Sequence, residues 1–138
     1  MEYITLDTTR REEMIDITDR VKELVRDVGW DRSARNALLH LWCFHTTAGL
    51  TVNENADPDV RRDMLMAMAH IVPEGLDYRH AEGNSTAHVK SSMFGCSLTL
   101  PLVQGRLELG QWQGIYFCEF DGPRCGRKVG LQLISSST

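Results

Sequence analysis

The chain has 138 residues, 42% of them hydrophobic and 25% charged, which suits one domain with one sizeable core and is too short for two ordinary ones. Its formal net charge is −4, and the fifteen Lys and Arg are scattered apart from short pairs such as Arg61-Arg62 and Arg127-Lys128, so nucleic acid is not an expected partner. No apolar stretch approaches the ~20 residues that cross a bilayer, and the opening MEYITLDTTRREE lacks the basic and apolar regions of an export signal, so a cytoplasmic protein with no membrane partner is expected.

EYITLDT and then MIDI alternate polar and apolar residues, as strands with one wet face do. Val21, Leu24, Val25 and Val28 next fall on one stripe at helical spacing, with Thr18 placed to cap that helix and Gly29 to end it. After a polar turn over 31–36, ALLHLWCF is apolar on both parities and predicts a central strand covered on both sides. Leu50 and Val52 resume a strand. Asp57 as N-cap and Pro58 at the first helical position then open a helix whose Val60, Met64, Ala67, Met68 and Ile71 share a face, with Pro73 and Gly75 ending it. A short helix from residue 85 or 86 through 93 follows, then strands over 97–103, 106–109 and 115–120, a DGPRCG turn, a strand over 129–133 and the polar tail SSST. Strands outnumber helices without alternating with them. The expected class is therefore α+β, a single domain over 1–138 with mixed, mainly antiparallel sheets and two or three helices.

Cys43, Cys96, Cys118 and Cys125 form no C-x-x-C pair and read as reduced thiols, Cys43 and Cys118 inside apolar strands and Cys125 in a polar turn. Strand parity gives the polar stretch HTTAGLTVNENADPD (45–59) a geometry, because residues two apart share a face. Leu39, Leu41 and Cys43 lead to His45, Leu50 and Val52 lead to Glu54, and Ile115 and Phe117 lead to Glu119. Three strands that end an apolar face on an ionisable side chain suit a pocket mouth, or else each strand has emerged into water by that point.

Gly83, Asn84 and Ser85 precede a helix start, where free N–H groups and the positive dipole end suit phosphate, and Lys90 reaches a ligand there only at the helix tip. His88 shares a helix face with Ser91 and Ser92. His45, His80 and His88 form a candidate metal site that Glu119 or Asp57 would complete, or are separate hydrogen-bonded histidines; neither H-E-x-x-H nor an (i, i+4) His pair is present. Trp112 and Gln113 precede a strand, where the indole either stacks on a heterocycle or covers the edge of the core.

HTTAGLTVNENADPDVRRDML, EGNSTAHVKSSMFGCSLTLP and GRLELGQWQGIYFCEFDGPR, in that order, resemble the YjbQ family, also called the secondary thiamine-phosphate synthase family. The resemblance implies a small α+β domain, a homotrimer and a clustered polar site. Its polar motif positions fall on His45, Thr46, Thr47, Asn53, Asn55, Asp57, His80, Asn84, His88, Lys90, Trp112, Gln113 and Glu119. Phe44 departs from the family pattern, which often has Pro before HTTA, and Cys96 stands where small residues or Pro are common. The implied reaction joins hydroxymethylpyrimidine diphosphate to thiazole phosphate with loss of pyrophosphate, as a main or a secondary activity. No D-D-x-x-D-like run that would hold magnesium on a diphosphate is present.

Two readings follow. In the first the protein is an enzyme of small phosphorylated heterocycles. His45 or His88 moves a proton, Glu119 or Asp57 orients a histidine, and Lys90, Asn84 and the helix start hold phosphate, with Thr46, Thr47, Asn53, Asn55, Trp112 and Gln113 completing the ligand-binding set. In the second it is a non-catalytic trimeric module that binds a divalent metal, zinc or magnesium, or a small anion.

Overall fold

The computed structural model describes residues 1–32 and 36–135. Along the chain lie β1 (Glu2–Leu6), β2 (Glu13–Asp16), α1 (Thr18–Asp27), one 3-10 turn (Trp30–Arg32), β3 (Ala37–Cys43), β4 (Ala48–Glu54), α2 (Pro58–Ile71), α3 (Ser85–Phe94), β5 (Ser97–Val103), β6 (Arg106–Leu107), β7 (Gln113–Glu119) and β8 (Arg127–Ser135). Part of the expected turn over 31–36, and the last three residues of the tail, lie outside the described residues.

Alternation along the strands builds two sheets, and every strand pairing is antiparallel. One has five strands in the order β1-β8-β3-β5-β6, the other three in the order β2-β7-β4. Between them lies the main core. Ile4, Leu6, Leu39, Leu41, Cys43, Leu100, Leu102, Val129 and Leu131 come from the larger sheet, Leu50, Ile115 and Phe117 from the smaller, and Val21 and Val25 from α1. The reverse face of the smaller sheet carries Met14, Tyr116 and Cys118, which pack with Phe120 against Met64 and Leu65 of α2 and Ala87 and Phe94 of α3. The layers are thus sheet, core, sheet, helices, and the expected α+β class holds.

Local capping explains where the helices begin and end. Asp57 caps α2 by accepting the Asp59 N–H, with Pro58 at the first position, as its sequence predicts. Gly29, at φ 81°, follows α1 in the left-handed region that costs glycine least. Thr18 is not the cap expected of it: it is the first residue of α1, and its hydroxyl donates to Asp16 Oδ1 and accepts the Ile115 N–H. Gly49 is required by close approach, since a Cβ there would meet the Gly95 carbonyl oxygen at 2.9 Å where α3 ends against β4.

Two burial expectations are corrected. β3 is central in its sheet, but only its Ala37, Leu39, Leu41 and Cys43 side faces core, while Leu38 and Trp42 are exposed. An apolar run on both parities here means a second apolar surface that this chain alone does not cover. In α2 the buried side runs through Met64, Leu65 and Met68, and Ile71 is exposed, because the helix lies on the smaller sheet rotated from the stripe that periodicity favours.

Candidate functional site

At the end of the sandwich where β7 finishes and β8 begins, parity carries Glu119 onto the core side of its sheet with no exposed surface. Its carboxylate is held by Arg127 through Nε at 2.7 Å and Nη2 at 2.5 Å, by the Thr8 hydroxyl at 2.9 Å and by the Asp121 N–H at 2.9 Å. Arg127 Nη2 also donates to the Thr47 hydroxyl at 2.9 Å. Burial alone would raise the Glu119 carboxyl, but Arg127 and these donors bring it below its ordinary value, so the buried pair is ionised on both sides. Glu119 and Thr47 therefore tie the two sheets together. Their polar atoms are committed to Arg127, which removes Glu119 as the partner that would orient a histidine.

His45 sits beside this pair and its Nε2 accepts the Lys128 N–H at 2.8 Å. A backbone N–H can only donate, so Nε2 carries the lone pair and Nδ1 the proton of a neutral ring. Burial, and next the Arg127 charge, push its pKa below the usual histidine value, consistent with that state. With Thr46, His88, Ser91, Ser92, Gly95 and Cys96, His45 lines a cleft of about 550 Å³. Ser91 anchors the wall by donating to the Ala48 carbonyl at 2.6 Å. His88 meets His80 edge to face, ring centroids 5.2 Å apart, and His80 Nε2 lies 3.8 Å from the Glu82 carboxylate. His80 lines a second hollow, of about 230 Å³, with Gly83 and Ser85 at the start of α3 and with Glu74 and Tyr78.

The rest of the sequence-derived set is elsewhere. Ala48 pairs with Glu119 and Glu54 with Gln113, so Asn53, Asn55, Asp57, Trp112 and Gln113 gather at the opposite end of β7, ~20 Å away along seven strand residues. There Asn55 Nδ2 donates to Asp16 Oδ2 and its N–H to the Trp112 carbonyl, Asn53 Nδ2 reaches Met64 Sδ, and Gln113 Oε1 accepts the Gly110 N–H. Asp57 is spent on its cap and stands too far from the cleft to orient His45 or His88 of the same chain. Trp112 is 57% exposed, which overturns the reading in which it covers the core's edge.

Lys90 and Asn84 are also not where a phosphate would meet them. Lys90 is 2% exposed and its Nζ donates to Glu12 Oε2 at 2.8 Å; Asn84 is buried and its Nδ2 donates to Asp121 Oδ2 at 2.9 Å. Both donors already satisfy carboxylates. Asn84 Oδ1 is left without a partner among the described residues.

The family model described as "UPF0047 protein YjbQ-like" matches residues 2–136. A protein of Bacillus subtilis, "UPF0047 protein YugU", is 52% identical over 126 residues, covering 90% of this chain and 92% of its own. "UPF0047 protein MJ1081" of Methanocaldococcus jannaschii is 44% identical over 117 residues, covering 85% and 82%. The chain belongs to the UPF0047, YjbQ-like, family. A solved family member from Clostridium acetobutylicum superimposes with TM-score 0.89 at 46% identity, over 97% of this chain and 100% of that one. A YbjQ-like protein from Sulfolobus solfataricus does so with TM-score 0.89 at 27% identity, over 98% and 96%.

Within this UPF0047 chain the proposed histidine triad does not fit a metal as one set. His45 spends its lone pair on Lys128 N–H, and no three His, Cys, Asp or Glu side chains among the described residues are arranged to hold an ion. Sequence reasoning missed Arg127, Thr8 and Glu12, which fix the site's surroundings. Asking what neutralises a carboxylate on a core-facing strand position would have pointed to an arginine, though not to which one.

Proposed function

We propose that this UPF0047 protein is a small-molecule enzyme that acts on phosphorylated heterocycles by thiamine-phosphate-synthase-like transfer, and that it works as a homotrimer. The observation that carries the reading is the edge-to-face pair of His80 and His88, which joins two hollows along α3. In the smaller, the N–H of Ser85 has no partner among the described residues and offers a place for phosphate. In the larger, the Nδ1–H of His45 and the hydroxyls of Thr46 and Ser92 suit a polar ring. Ser85 and Ser92 are ~10 Å apart along the helix, the span of such a substrate.

In that transfer the thiazole nitrogen attacks the pyrimidine methylene, the C–N bond forms, the C–O bond to the diphosphate breaks and pyrophosphate leaves. His88, whose ring makes no hydrogen bond among the described residues, is the group that exchanges a proton with the leaving group, and His45 serves as a fixed donor. Trimer formation is supported by Tyr3, Leu38, Trp42, Phe44 and Ile134, all at least 39% exposed on or beside the outer face of the larger sheet.

The test is to supply hydroxymethylpyrimidine diphosphate and thiazole phosphate to the purified protein and measure thiamine phosphate. Wild type is expected to turn over and His88→Ala to lose about 10²-fold in rate. No turnover, together with an equimolar divalent metal that survives dialysis in native mass spectrometry, would favour the second reading, a non-catalytic metal- or anion-binding module. For that reading the specific observation is the N–H of Ser85 in the smaller hollow, unpartnered among the described residues, which suits a small anion without any catalytic step.

A further inference from the structure

Cys43 and Cys96 stand directly opposite one another across two antiparallel strands. The β3–β5 register pairs Leu41 with Leu98 and Trp42 with Ser97, and one step further the Cys43 N–H donates to the Cys96 carbonyl at 2.7 Å. Opposed residues of an antiparallel pair project to the same face, and here both side chains pack on the same core cluster. Cα atoms of a hydrogen-bonded opposed pair lie ~5.5 Å apart, inside the ~4.4–6.8 Å that a disulfide spans. Cys96 precedes β5 and follows Gly95, whose φ is 96° and around which nothing lies where a Cβ would be. The Gly95 carbonyl accepts the Leu50 N–H at 3.0 Å and its N–H donates to the Ser91 carbonyl at 2.9 Å, so the bridge forms by rotation of the two side chains across the existing register rather than by movement of the backbone.

The two thiols differ in access. Cys43 is 2% exposed, and burial pushes its thiol up, with the His45 N–H and the Arg127 charge opposing that rise in part. Cys96 is half-buried and lines the cleft with His45 and His88. Cys118 lies on the far face of the smaller sheet, where burial raises its thiol strongly, and Cys125 is alone in an exposed turn. Only Cys43 and Cys96 are paired by strand register.

We propose that Cys43 and Cys96 are a redox pair, Cys96 taking the oxidising equivalent of a hydroperoxide that enters the cleft and Cys43 resolving it to a cross-strand disulfide. In the first step the Cys96 sulfur attacks a peroxide oxygen. An S–O bond forms, the O–O bond breaks, the sulfur is oxidised to a sulfenic acid, and the peroxide is reduced, its leaving oxygen taking the thiol proton as water or alcohol. In the second, the Cys43 sulfur attacks the Cys96 sulfur. The S–S bond forms, the S–O bond breaks, and the hydroxide leaves with the Cys43 proton as water. The bridge ties the start of β5 to the end of β3, two residues before His45, and removes the Cys96 thiol from the wall of the cleft. In a reducing compartment such a bond is transient, which suits a sensor rather than a structural staple.

The experiment uses Cys125→Ser protein, which removes the exposed thiol, treated with hydrogen peroxide and mapped by non-reducing peptide mass spectrometry. The expected product is one intrachain link between the Cys43 and Cys96 peptides, lighter by two hydrogens and reversed by dithiothreitol. In Cys43→Ser/Cys125→Ser protein the oxidation should stop at Cys96 as a sulfenic acid that dimedone traps. In Cys96→Ser/Cys125→Ser protein Cys43 should stay alkylatable after the same treatment. Oxidation of Cys43 without Cys96, passage of Cys96 directly to sulfinic acid while Cys43 remains a thiol, or links only between chains would overturn the proposal.

Discussion

Arg127 and Glu119, eight residues apart in sequence, meet as a two-point guanidinium–carboxylate pair with side chains 8% and 0% exposed, and they close the end of the sandwich beneath the His45 cleft. Removing one member of such a pair leaves the other buried and unpaired, which costs about 3–5 kcal/mol. Arg127→Ala is accordingly expected to lose stability of that order in urea denaturation, and more than Glu119→Gln, which keeps hydrogen bonding to the guanidinium. A loss under about 1 kcal/mol for Arg127→Ala would mean the pair is open to water.

The same pair sets an acid limit. Because the Glu119 carboxyl titrates below its unfolded value in the fold, its contribution is fully present above about pH 4.3 and is lost as pH falls through the lower folded value. His45 acts in a separate window. Its pKa is depressed by burial and by Arg127, so its contribution is present above about pH 6.5 and declines as pH falls toward its folded pKa, because the unfolded ring takes up the proton first. The urea midpoint of wild type should therefore fall between pH 7.5 and 5.5. His45→Gln should show a shallower fall over that window, and an unchanged slope would contradict a neutral His45.

Lys90 gives a prediction opposite to the one its sequence setting suggests. With Nζ on Glu12 and almost no exposed surface, Lys90→Ala is expected to destabilise the fold by about 1–3 kcal/mol and to leave inorganic phosphate binding unchanged by calorimetry. Phosphate affinity that drops tenfold without a change in stability would restore Lys90 as a ligand.

The outer face of the larger sheet supplies the fourth test. His40 and Trp42 stack there with ring centroids 6.4 Å apart, and Lys128 Nζ lies 3.9 Å from the centroid of Tyr3. If this face is the trimer contact, wild type should scatter light as three chains of 15.6 kDa and Trp42→Glu as one, with far-ultraviolet circular dichroism unchanged. A Trp42→Glu protein that keeps the wild-type mass would move the contact to another surface.

Sequence alone determined what the backbone decides locally. Strand alternation, the Asp57-Pro58 start of α2, the glycine after α1 and the start of α3 near Ser85 each depend on a few neighbouring residues, and each stands as read. Parity put Glu119 on the same face as Ile115 and Phe117, but as a residue of a pocket mouth rather than the fully buried partner of Arg127. Of the residues expected to share that pocket, His45 and His88 line one cleft while His80 lines the neighbouring hollow. Tertiary structure alone decided the partners. Lys90 found Glu12 78 positions away, Arg127 reached Thr47 80 positions away, and His45 took the Lys128 N–H 83 positions away. Such pairings follow from how two sheets and a helix layer are registered against each other, and no local pattern encodes that registration. The same physics divided the HTTA and NEN motifs: six residues separate Ala48 from Glu54, yet an extended strand carries them to opposite ends of the sheet.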